Sequence, residues 1–341
     1  MKSSPIKVFL NSGSHSQGRG VGFYAQFLSQ SLAKEQGIEL TDKNPDLIHY
    51  PFFDLFYPTL PWKKNLPTVV TIHDLTPLVF PHLYPKGARG WFNLVRQRLS
   101  LQSVSAVITD SVSSQRDLVN IFKLSPKKVF ITPLSVNPIY HSPLPAKKIA
   151  AIKKKYSLPD HFILTVAGGP NPNKNLPALA QVTQELNIPL VIVGGGVAKP
   201  VPSGRLHPEL RDLAKLKKFS HLITPGFVPD QDLLAFYQLA DLYCQPSLYE
   251  GFGLPVLEAM NVGCLVVSSH AGSLPEIYPR QTITFDPHDL TDMKQAINHG
   301  LHLTNKEKVK HIQQGRKKAA TFSWQKTAQA TIKVYRSVLS Q

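Results

Sequence analysis

Short apolar runs alternate with helix-length amphipathic segments along the whole chain. Short apolar runs fit buried strands, and apolar positions that recur every three or four residues fit helices. The first half shows strand patterns at 7–10, 47–50, 68–72, 106–109 and 128–132 and helix patterns at 21–35, 88–104 and 113–122. The second half shows strand patterns at 162–167, 190–193, 221–224, 241–245 and 265–268 and helix patterns at 176–185, 230–239, 254–261, 290–300, 306–320 and 324–339. This alternation is typical of α/β proteins whose parallel sheets carry helices on both faces.

The length of 341 residues exceeds what one hydrophobic core comfortably supports. Residues 137–145 contain three prolines and read as a linker between domains. We therefore expect two doubly wound, Rossmann-like domains that face each other across a cleft. Their predicted limits are residues 1–140 and 146–320, followed by a C-terminal helix at 321–341.

Composition narrows the class of protein further. No apolar run approaches the roughly 18 residues that a membrane-spanning helix needs, and no segment resembles a secretory signal. Cys244 and Cys264 fall in predicted strands without the spacing of metal ligands, which indicates small core residues of a reduced protein. A cytoplasmic location is the expectation.

The net charge of +16 is spread over both halves of the chain. Basic surfaces attract nucleic acids, anionic lipids or small anions, but no nucleic-acid motif accompanies this charge. Solvated helix faces account for most of the lysine clusters. A peripheral contact with an anionic membrane, where lipid-linked acceptors reside, is the functional alternative.

Residues 247–260 form the most informative motif, in which a strand end leads to Glu250, two closely spaced glycines and a helix that starts near Leu254. Glycines let the backbone come close to a ligand, and the helix start offers unpaired N–H groups that favour phosphate. Glu258 follows Glu250 by eight residues, so at about 100° per residue both carboxylates can face one side. The arrangement suits a sugar nucleotide. The alternative is an ordinary strand-turn-helix with two solvated glutamates.

This segment resembles the donor-site signature of the family 4 retaining glycosyltransferases, whose fold is called GT-B. In that family two glutamates bracket a Gly-Phe-Gly-Leu-Pro turn, and Glu250 and Glu258 match them. The resemblance implies that Glu250 lies near the transferred sugar, that Glu258 lies near the ribose, and that the turn binds the diphosphate. The turn residues are Gly251, Phe252, Gly253 and Leu254. It also implies that the last helix returns to the N-terminal domain.

A glycine-rich segment at residues 18–24 follows the first predicted strand and opens the first helix. Its spacing departs from the dinucleotide fingerprint, so NAD binding is not expected. By resemblance, Gly20, Val21 and Gly22 lie against the donor phosphates or the acceptor. A tight turn without a ligand is the alternative.

His73 and Asp74 stand at the carboxyl end of a predicted strand, where open α/β sheets place their ligands. Such a pair can also simply satisfy hydrogen bonds within a loop. In the family a His-Asp pair ends the corresponding strand and faces the cleft. The resemblance therefore implies that His73 contacts the transferred sugar and that Asp74 orients it or lines the acceptor side.

Residues 168–175 resemble the family's Pro-Arg-Lys-Asn turn, in which basic side chains hold the diphosphate. Lys174 matches the lysine, whereas Asn173 stands where arginine is usual, so one cationic contact is missing unless another arginine replaces it. The candidates are Arg19, Arg205 and Arg211. Without the resemblance, Lys174 would as readily be a solvated surface lysine. Val228 matches the position that contacts the nucleobase.

The resemblance implies that a hexose passes from a nucleotide diphosphate sugar to an acceptor hydroxyl with retention at the anomeric carbon. His73, Asp74, Lys174 and Glu250 are the expected catalytic residues. Lys174 and the turn N–H groups would stabilise charge on the leaving phosphate. No carboxylate is clearly placed as a nucleophile, which favours attack on the same face as the departing phosphate. No metal and no cofactor beyond the donor substrate are expected, because no carboxylate pair is placed as in a metal-binding DxD motif.

Related sequences with Thr-Ile-His-Asp-Leu-Thr-Pro, which is found here at residues 71–77, are often mannosyltransferases. The resemblance therefore makes GDP-mannose the first candidate donor, ahead of a UDP-hexose, and a glycan or lipid-linked molecule the acceptor. Nucleic acid is not an expected partner. The alternatives are a nucleotide-sugar epimerase or a phosphorylase of the same fold, and a non-catalytic basic binding protein.

Overall fold

The structure, a computed structural model, describes residues 4–13, 21–169, 171–198 and 208–340, with side chains for all of these except residues 21, 208 and 209. The chain forms two compact units. Unit 1 comprises Met1–Asn137 and Phe322–Gln341, and unit 2 comprises Pro138–Thr321. The C-terminal helix therefore belongs to the unit that the N-terminal part of the chain builds.

Unit 1 contains a six-stranded parallel sheet in the order β2-β1-β3-β4-β5-β6. Its strands are β1 (Ile6–Leu10), β2 (Ile38–Leu40), β3 (Leu47–Tyr50), β4 (Thr68–Thr71), β5 (Ala106–Thr109) and β6 (Val129–Ile131). The sequences Thr-Val-Val-Thr of β4 and Ala-Val-Ile-Thr of β5 are buried at every position. Such unbroken burial is expected of parallel strands that are covered on both faces.

Two of the helices of unit 1 begin at serines whose side chains cap them. The helices of this unit are α1 (Val21–Leu32), α2 (Thr76–Val79), α3 (Ala88–Gln102), α4 (Val112–Phe122) and the last helix of the chain, Trp324–Leu339. Ser111 caps α4 by accepting from Ser114 N at 3.1 Å, and Ser323 caps the last helix by accepting from Lys326 N at 3.2 Å. The last helix packs against α1 within this unit.

Unit 2 contains a second six-stranded parallel sheet, in the order β12-β11-β10-β7-β8-β9. Its strands are β7 (Ile163–Val166), β8 (Leu190–Val193), β9 (Leu222–Gly226), β10 (Leu242–Gln245), β11 (Val266–Ser269) and β12 (Ile283–Phe285). Its helices are α5 (Ala146–Lys155), α6 (Leu176–Glu185), α7 (Pro208–Leu216), α8 (Asp230–Leu239), α9 (Leu254–Val262), α10 (Leu274–Ile277), α11 (Leu290–Leu301) and α12 (Asn305–Ala319), so that the last helix is α13. The strand order reverses between β7 and β10, and that reversal defines where a ligand belongs.

The predicted α/β class with two Rossmann-like sheets is confirmed, and all ten predicted strands form. The edge strands β2 and β12, which have three residues each, were not predicted. Helix α5 was not predicted, because its two isoleucines are too few for a clear apolar stripe. In the described part of the chain, no helix combines the length and the apolar character needed to cross a bilayer.

A buried hydrogen-bond network joins α13 to the unit 1 sheet. His49 on β3 contacts the Tyr335 hydroxyl of α13 through Nδ1 at 2.7 Å and the Thr71 hydroxyl of β4 through Nε2 at 2.8 Å. The Tyr24 hydroxyl of α1 completes it at 2.9 Å from Thr71 Oγ1. Burial, with a smaller repulsion from His73, lowers the pKa of His49 to about 3.

We expect His49 to make unit 1 sensitive to acid. Its pKa is about 3 in the folded protein and about 6.5 when unfolded, so the unfolded state binds the extra proton first. The stabilising contribution is complete above about pH 6.5 and falls by up to about 1.4 kcal/mol per pH unit toward pH 3. Urea unfolding midpoints at several pH values should show a shallower acid slope for His49→Gln than for the parent chain.

His161→Gln is the matched control, because His161 is well exposed and contacts only Asp241 at 3.1 Å among the described side chains. This variant should keep the parent slope. Identical slopes for His49→Gln and the parent would show that His49 does not carry the acid sensitivity.

Candidate functional site

The carboxyl ends of β7 and β10 meet at the point of unit 2 where the strand order reverses. After β7 the chain reaches the short helical turn Pro172–Lys174, and after β10 it enters residues 246–253. Lys174 Nζ donates to Glu250 Oε1 at 2.7 Å. The two side chains are 14% and 11% exposed. Lys174 is therefore no solvated surface lysine, and the structure brings these two predicted site residues into direct contact.

Glu250 is held by three donors that share one of its carboxylate oxygens. Besides Lys174, Gln245 Nε2 donates to Oε1 at 2.9 Å and Ser247 Oγ at 2.5 Å. Tyr243 in turn donates from its hydroxyl to Gln245 Oε1. None of these bonds uses Glu250 Oε2. The carboxylate is thus fixed in orientation through one oxygen, while the other remains available to accept from a ligand hydroxyl.

The turn at residues 271–273 packs against the loop before α9 and hydrogen-bonds to it. Ser273 Oγ donates to the carbonyls of Glu250 at 3.0 Å and Phe252 at 2.8 Å, and its N–H donates to the Glu250 carbonyl at 3.1 Å. Gly272 lies so close that a Cβ there would sit 2.6 Å from the Glu250 carbonyl oxygen. This packing fixes the position of the Glu250 backbone relative to the carboxyl edge of the sheet.

Helix α9 starts from Gly253, whose φ of 108° lies in the left-handed region that glycine tolerates. Pro255 follows in the first turn, where its missing N–H costs nothing. The first N–H groups of the helix have no intrahelical acceptors and carry the positive end of the helix dipole. Gly251 and Phe252 are buried beneath this start. The turn from Gly251 to Leu254 thus leads directly into a helix N-terminus, and anion binding there stays a prediction.

Glu258 lies one turn inside α9 and is half-buried. Its Oε2 accepts from the Tyr237 hydroxyl of α8 at 2.8 Å. Burial and the nearby Glu258 carboxylate raise the pKa of Tyr237 well above its usual value, so the phenol stays a donor. Glu258 is a second oriented carboxylate, on the helix that follows the loop of Glu250.

Asn173 is buried, and its amide is occupied. Nδ2 donates to the Tyr249 carbonyl at 2.9 Å, and the Asn173 carbonyl accepts from Leu248 N at 2.7 Å. It therefore ties the turn that carries Lys174 to the loop that carries Glu250, which is a positioning role that sequence reasoning missed. Val228 is fully buried after β9, whereas its neighbour Phe227 is largely exposed.

Of the three arginines considered as replacements for the missing cation, Arg211 is exposed on α7. Arg19 and Arg205 lie outside the described residues. Gly20 also lies outside them, Val21 opens α1, and Gly22 is buried in its first turn.

In unit 1, His73 follows β4 and pairs with a residue that follows β5. His73 Nδ1 lies 2.7 Å from Asp110 Oδ2, and Asp110 is almost fully buried. Burial opposes protonation of the imidazole, but the carboxylate and its hydrogen bond outweigh burial and raise the pKa of His73. Nε2 makes no regular hydrogen bond with the described residues, although the Pro51 carbonyl is close enough to favour the charged ring.

Asp110 is a partner of His73 that the sequence analysis overlooked. It stands directly after a buried strand, the same signal that singled out His73, and β4 and β5 are neighbours. Asp74 takes a different place, because its Oδ1 accepts from Thr76 N at 2.8 Å at the start of α2. Of the predicted His-Asp pair, only His73 forms a carboxylate dyad, and it does so with Asp110.

The chain does contain one Asp-x-Asp spacing, Asp230 and Asp232, at the start of α8. Asp232 accepts from Lys155 Nζ at 2.7 Å and from the Tyr156 hydroxyl at 2.8 Å, so Asp232 joins the end of α5 to α8. Within the described ranges, no group of three or more His, Cys, Asp or Glu side chains is arranged to hold a metal ion.

The two Rossmann-like parallel sheets have the GT-B fold, and a lysine–glutamate pair and a glycine turn that opens a helix lie where the strand order of the second sheet reverses. The chain belongs to the glycosyl transferases group 1 family, whose model matches residues 148–318. The model of Glycosyltransferase Family 4 matches residues 11–139.

Several relatives are mannosyltransferases. The chain is 31% identical over 293 residues to the serotype-specific mannosyltransferase WbdA of Escherichia coli. The aligned region covers 82% of this chain and 34% of WbdA. The chain is also 27% identical over 296 residues to the MMP alpha-(1->4)-mannosyltransferase of Mycolicibacterium hassiacum, covering 82% of this chain and 67% of that one. The chain thus spans about one third of the length of WbdA.

Solved structures share the fold across nearly the whole chain. Sucrose-phosphate synthase of Thermosynechococcus elongatus has a TM-score of 0.76 at 18% identity and covers 99% of this chain and 100% of its own. Alr3699/HepE of Anabaena, crystallised in complex with UDP-glucose, has a TM-score of 0.71 at 14% identity, covering 98% and 99%.

Proposed function

We propose that this glycosyltransferase moves mannose from GDP-mannose to a hydroxyl of a glycan or lipid-linked acceptor and retains the anomeric configuration. The observation that carries the proposal is the buried contact between Lys174 and Glu250, placed at the reversal of the sheet beside the start of α9. The choice of mannose is supported by the mannosyltransferase relatives. The choice of a nucleotide sugar is supported by the UDP-glucose complex of Alr3699/HepE.

In this proposal the donor diphosphate lies between the Lys174 ammonium and the N–H groups of residues 252–254. Both are oriented before the donor binds, Lys174 by Glu250 and the amides by the helix itself, so they stabilise the leaving phosphate without a cost in reorganisation. Glu250 accepts from hydroxyls of the transferred sugar and Glu258 from the ribose. Asn173 holds the two loops together, and Val228 supports the wall that meets the base.

The reaction breaks the bond between the anomeric carbon and the β-phosphate oxygen and forms a bond from that carbon to the acceptor oxygen on the same face. The acceptor proton passes to the departing phosphate. His73, oriented through Nδ1 by Asp110, contacts the transferred sugar, and Asp74 lines the acceptor side.

A thermal-shift panel tests the choice of donor. GDP, UDP, ADP, GDP-mannose and UDP-glucose are each added to the intact chain, and we expect GDP and GDP-mannose to raise the melting temperature most. A nucleotide at 100 times its Kd adds about 2.7 kcal/mol of stability. A larger shift with UDP-glucose would reassign the sugar and base but keep the transferase. No shift with any nucleotide would overturn the proposal.

Product analysis tests the chemistry. Proton NMR of the first product should show an α-mannoside, because GDP-mannose is itself an α-linked donor. A β-mannoside would overturn retention while leaving transfer intact. Conversion of the donor sugar to its epimer without any acceptor would instead identify a nucleotide-sugar epimerase.

A further inference from the structure

Helix α3 differs from an ordinary surface helix, because most of its buried side chains are polar and its exposed side chains include large apolar ones. Of its four buried residues three are polar, Asn93, Gln97 and Ser100, and the fourth, Leu101, joins the hydrophobic core. The three polar side chains hydrogen-bond the backbone of residues 54–61: Asn93 Nδ2 donates to the Phe56 carbonyl at 2.8 Å, Gln97 Nε2 to the carbonyls of Asp54 at 2.8 Å and Tyr57 at 3.0 Å, and Ser100 Oγ to that of Pro61 at 3.0 Å. The orientation of α3 is therefore fixed by satisfied polar contacts.

The outward side of α3 consists of large apolar residues. Trp91, Phe92, Val95 and Leu99 are 58%, 65%, 37% and 55% exposed. At about 100° per residue these four fall within an arc of about 100°, which makes a continuous stripe. We call it the α3 face. The segment that α3 holds adds Tyr57 and Trp62, which are also mostly exposed.

Exposed aromatic residues are costly, because each large side chain left in water forfeits about 1.5–3 kcal/mol of transfer free energy. The polar side of α3 has a complete set of partners, so the helix cannot rotate to bury its apolar side without losing them. A contiguous exposed patch of this kind marks an interaction surface.

The charge beside the α3 face identifies the partner. Arg89, Arg96 and Arg98 are the charged residues of α3, and the helix has no acidic residue. On a helical projection Arg98 borders one side of the apolar arc, while Arg89 and Arg96 border the other. In the described part of the chain none of the three forms an ion pair with a carboxylate. An apolar stripe with arginines along both borders matches the boundary between acyl chains and anionic headgroups.

We propose that the α3 face docks the protein on an anionic lipid bilayer, with Trp91 and Phe92 in the interface and the flanking arginines on the headgroups. A second copy of the chain is a poorer occupant, because a two-fold contact would press each arginine border against its like. The docking needs no donor and no transfer, so its test is independent of the proposed function.

Vesicle co-sedimentation tests the proposal with the intact chain. Vesicles of phosphatidylcholine with about 30% phosphatidylglycerol should bind the protein, and vesicles of phosphatidylcholine alone should bind it weakly. The variant Trp91→Ser/Phe92→Ser should bind about tenfold more weakly or worse, and Arg89→Gln/Arg98→Gln should bind more weakly with a shallower dependence on salt. Both variants change exposed side chains, and unchanged melting temperatures would confirm that they remain folded.

Helix α12 supplies the matched control. Lys310→Gln/Lys317→Gln removes the same charge from an exposed helix that lacks an aromatic stripe, and it should bind like the parent. The chain has three tryptophans, of which Trp324 is buried. A blue shift of fluorescence on anionic vesicles should therefore come from Trp62 and Trp91, and Trp91→Phe should remove most of it.

Equal binding by Trp91→Ser/Phe92→Ser and the parent would overturn the proposal, as would equal losses from the α3 and α12 charge variants. Sedimentation velocity tests the alternative occupant of the α3 face, a second copy of the chain. A concentration-dependent dimer that the Trp91→Ser/Phe92→Ser variant abolishes, without vesicle binding by the parent, would assign the α3 face to self-association and also overturn it.

Discussion

Lys174→Ala is expected to lower kcat for sugar transfer by about 10²- to 10³-fold. The ammonium is proposed to meet the charge that develops on the leaving phosphate, and the loss of one pre-oriented donor of this kind has about that effect. The side chain is 14% exposed and lies 2.7 Å from Glu250 Oε1, so little water can replace it. The measurement is steady-state transfer with saturating donor and acceptor.

The double variant Lys174→Ala/Glu250→Gln separates catalysis from charge balance. Lys174→Ala leaves a nearly buried carboxylate without its cation, which destabilises the loop. If the lysine served only to neutralise Glu250, the double variant would be as active as Glu250→Gln alone. We expect the double variant to recover melting temperature but to be much less active than Glu250→Gln alone. Lys294→Ala, which removes a lysine paired with Glu185 on the surface of the same unit, should change neither.

Gly194→Ala is expected to destabilise unit 2 by about 3 kcal/mol or more. A Cβ at Gly194 would lie 1.6 Å from the carbonyl oxygen of Ala167, which is backbone and cannot rotate away. Ala167 N donates to the Val193 carbonyl at 2.8 Å, and Gly194 N donates to the Gly226 carbonyl at 2.9 Å. These hydrogen bonds hold both backbone segments in position. The variant should unfold at a lower urea midpoint, as followed by circular dichroism.

The adjacent glycine is the control for this substitution. A Cβ at Gly195 would meet only the Cβ of Phe227 at 3.5 Å, an ordinary contact. Gly195→Ala should therefore keep the parent free energy of unfolding to within about 0.5 kcal/mol. Equal midpoints for the two variants would mean that the strand ends of β7 and β8 can separate at little cost.

The contact between Lys174 and Glu250 was predictable because both residues lie a few positions beyond strands whose carboxyl ends share one edge of the sheet. Asp110 obeys the same rule and was still missed, because no familiar motif pointed to it. Asn173 was read only as a substitute for arginine. Its true partner is the Tyr249 carbonyl, a backbone group that no residue pattern encodes.

The helical period of residues 88–102 predicts α3 but not the face that it buries. That choice depends on the carbonyls of residues 54–61, which need donors and find them in Asn93, Gln97 and Ser100. A periodic pattern identifies an apolar stripe, whereas the unpaired acceptors of a distant loop decide whether the stripe faces the core. Burial on α3 therefore could not be inferred from sequence alone.

The pairing of His49 with Tyr335 has a consequence for biosynthesis. The sheet of unit 1 lacks the hydroxyl partner of the buried His49 imidazole until Tyr335, which follows all of unit 2 in the sequence, has left the ribosome. Unit 2 is continuous in sequence and is synthesised before that moment. Vectorial synthesis ordinarily lets the N-terminal domain mature first. Here unit 1 gains this contact only after α13, which follows unit 2 in the sequence, has been synthesised, so a chain cut before Tyr335 leaves the earlier-made unit without it.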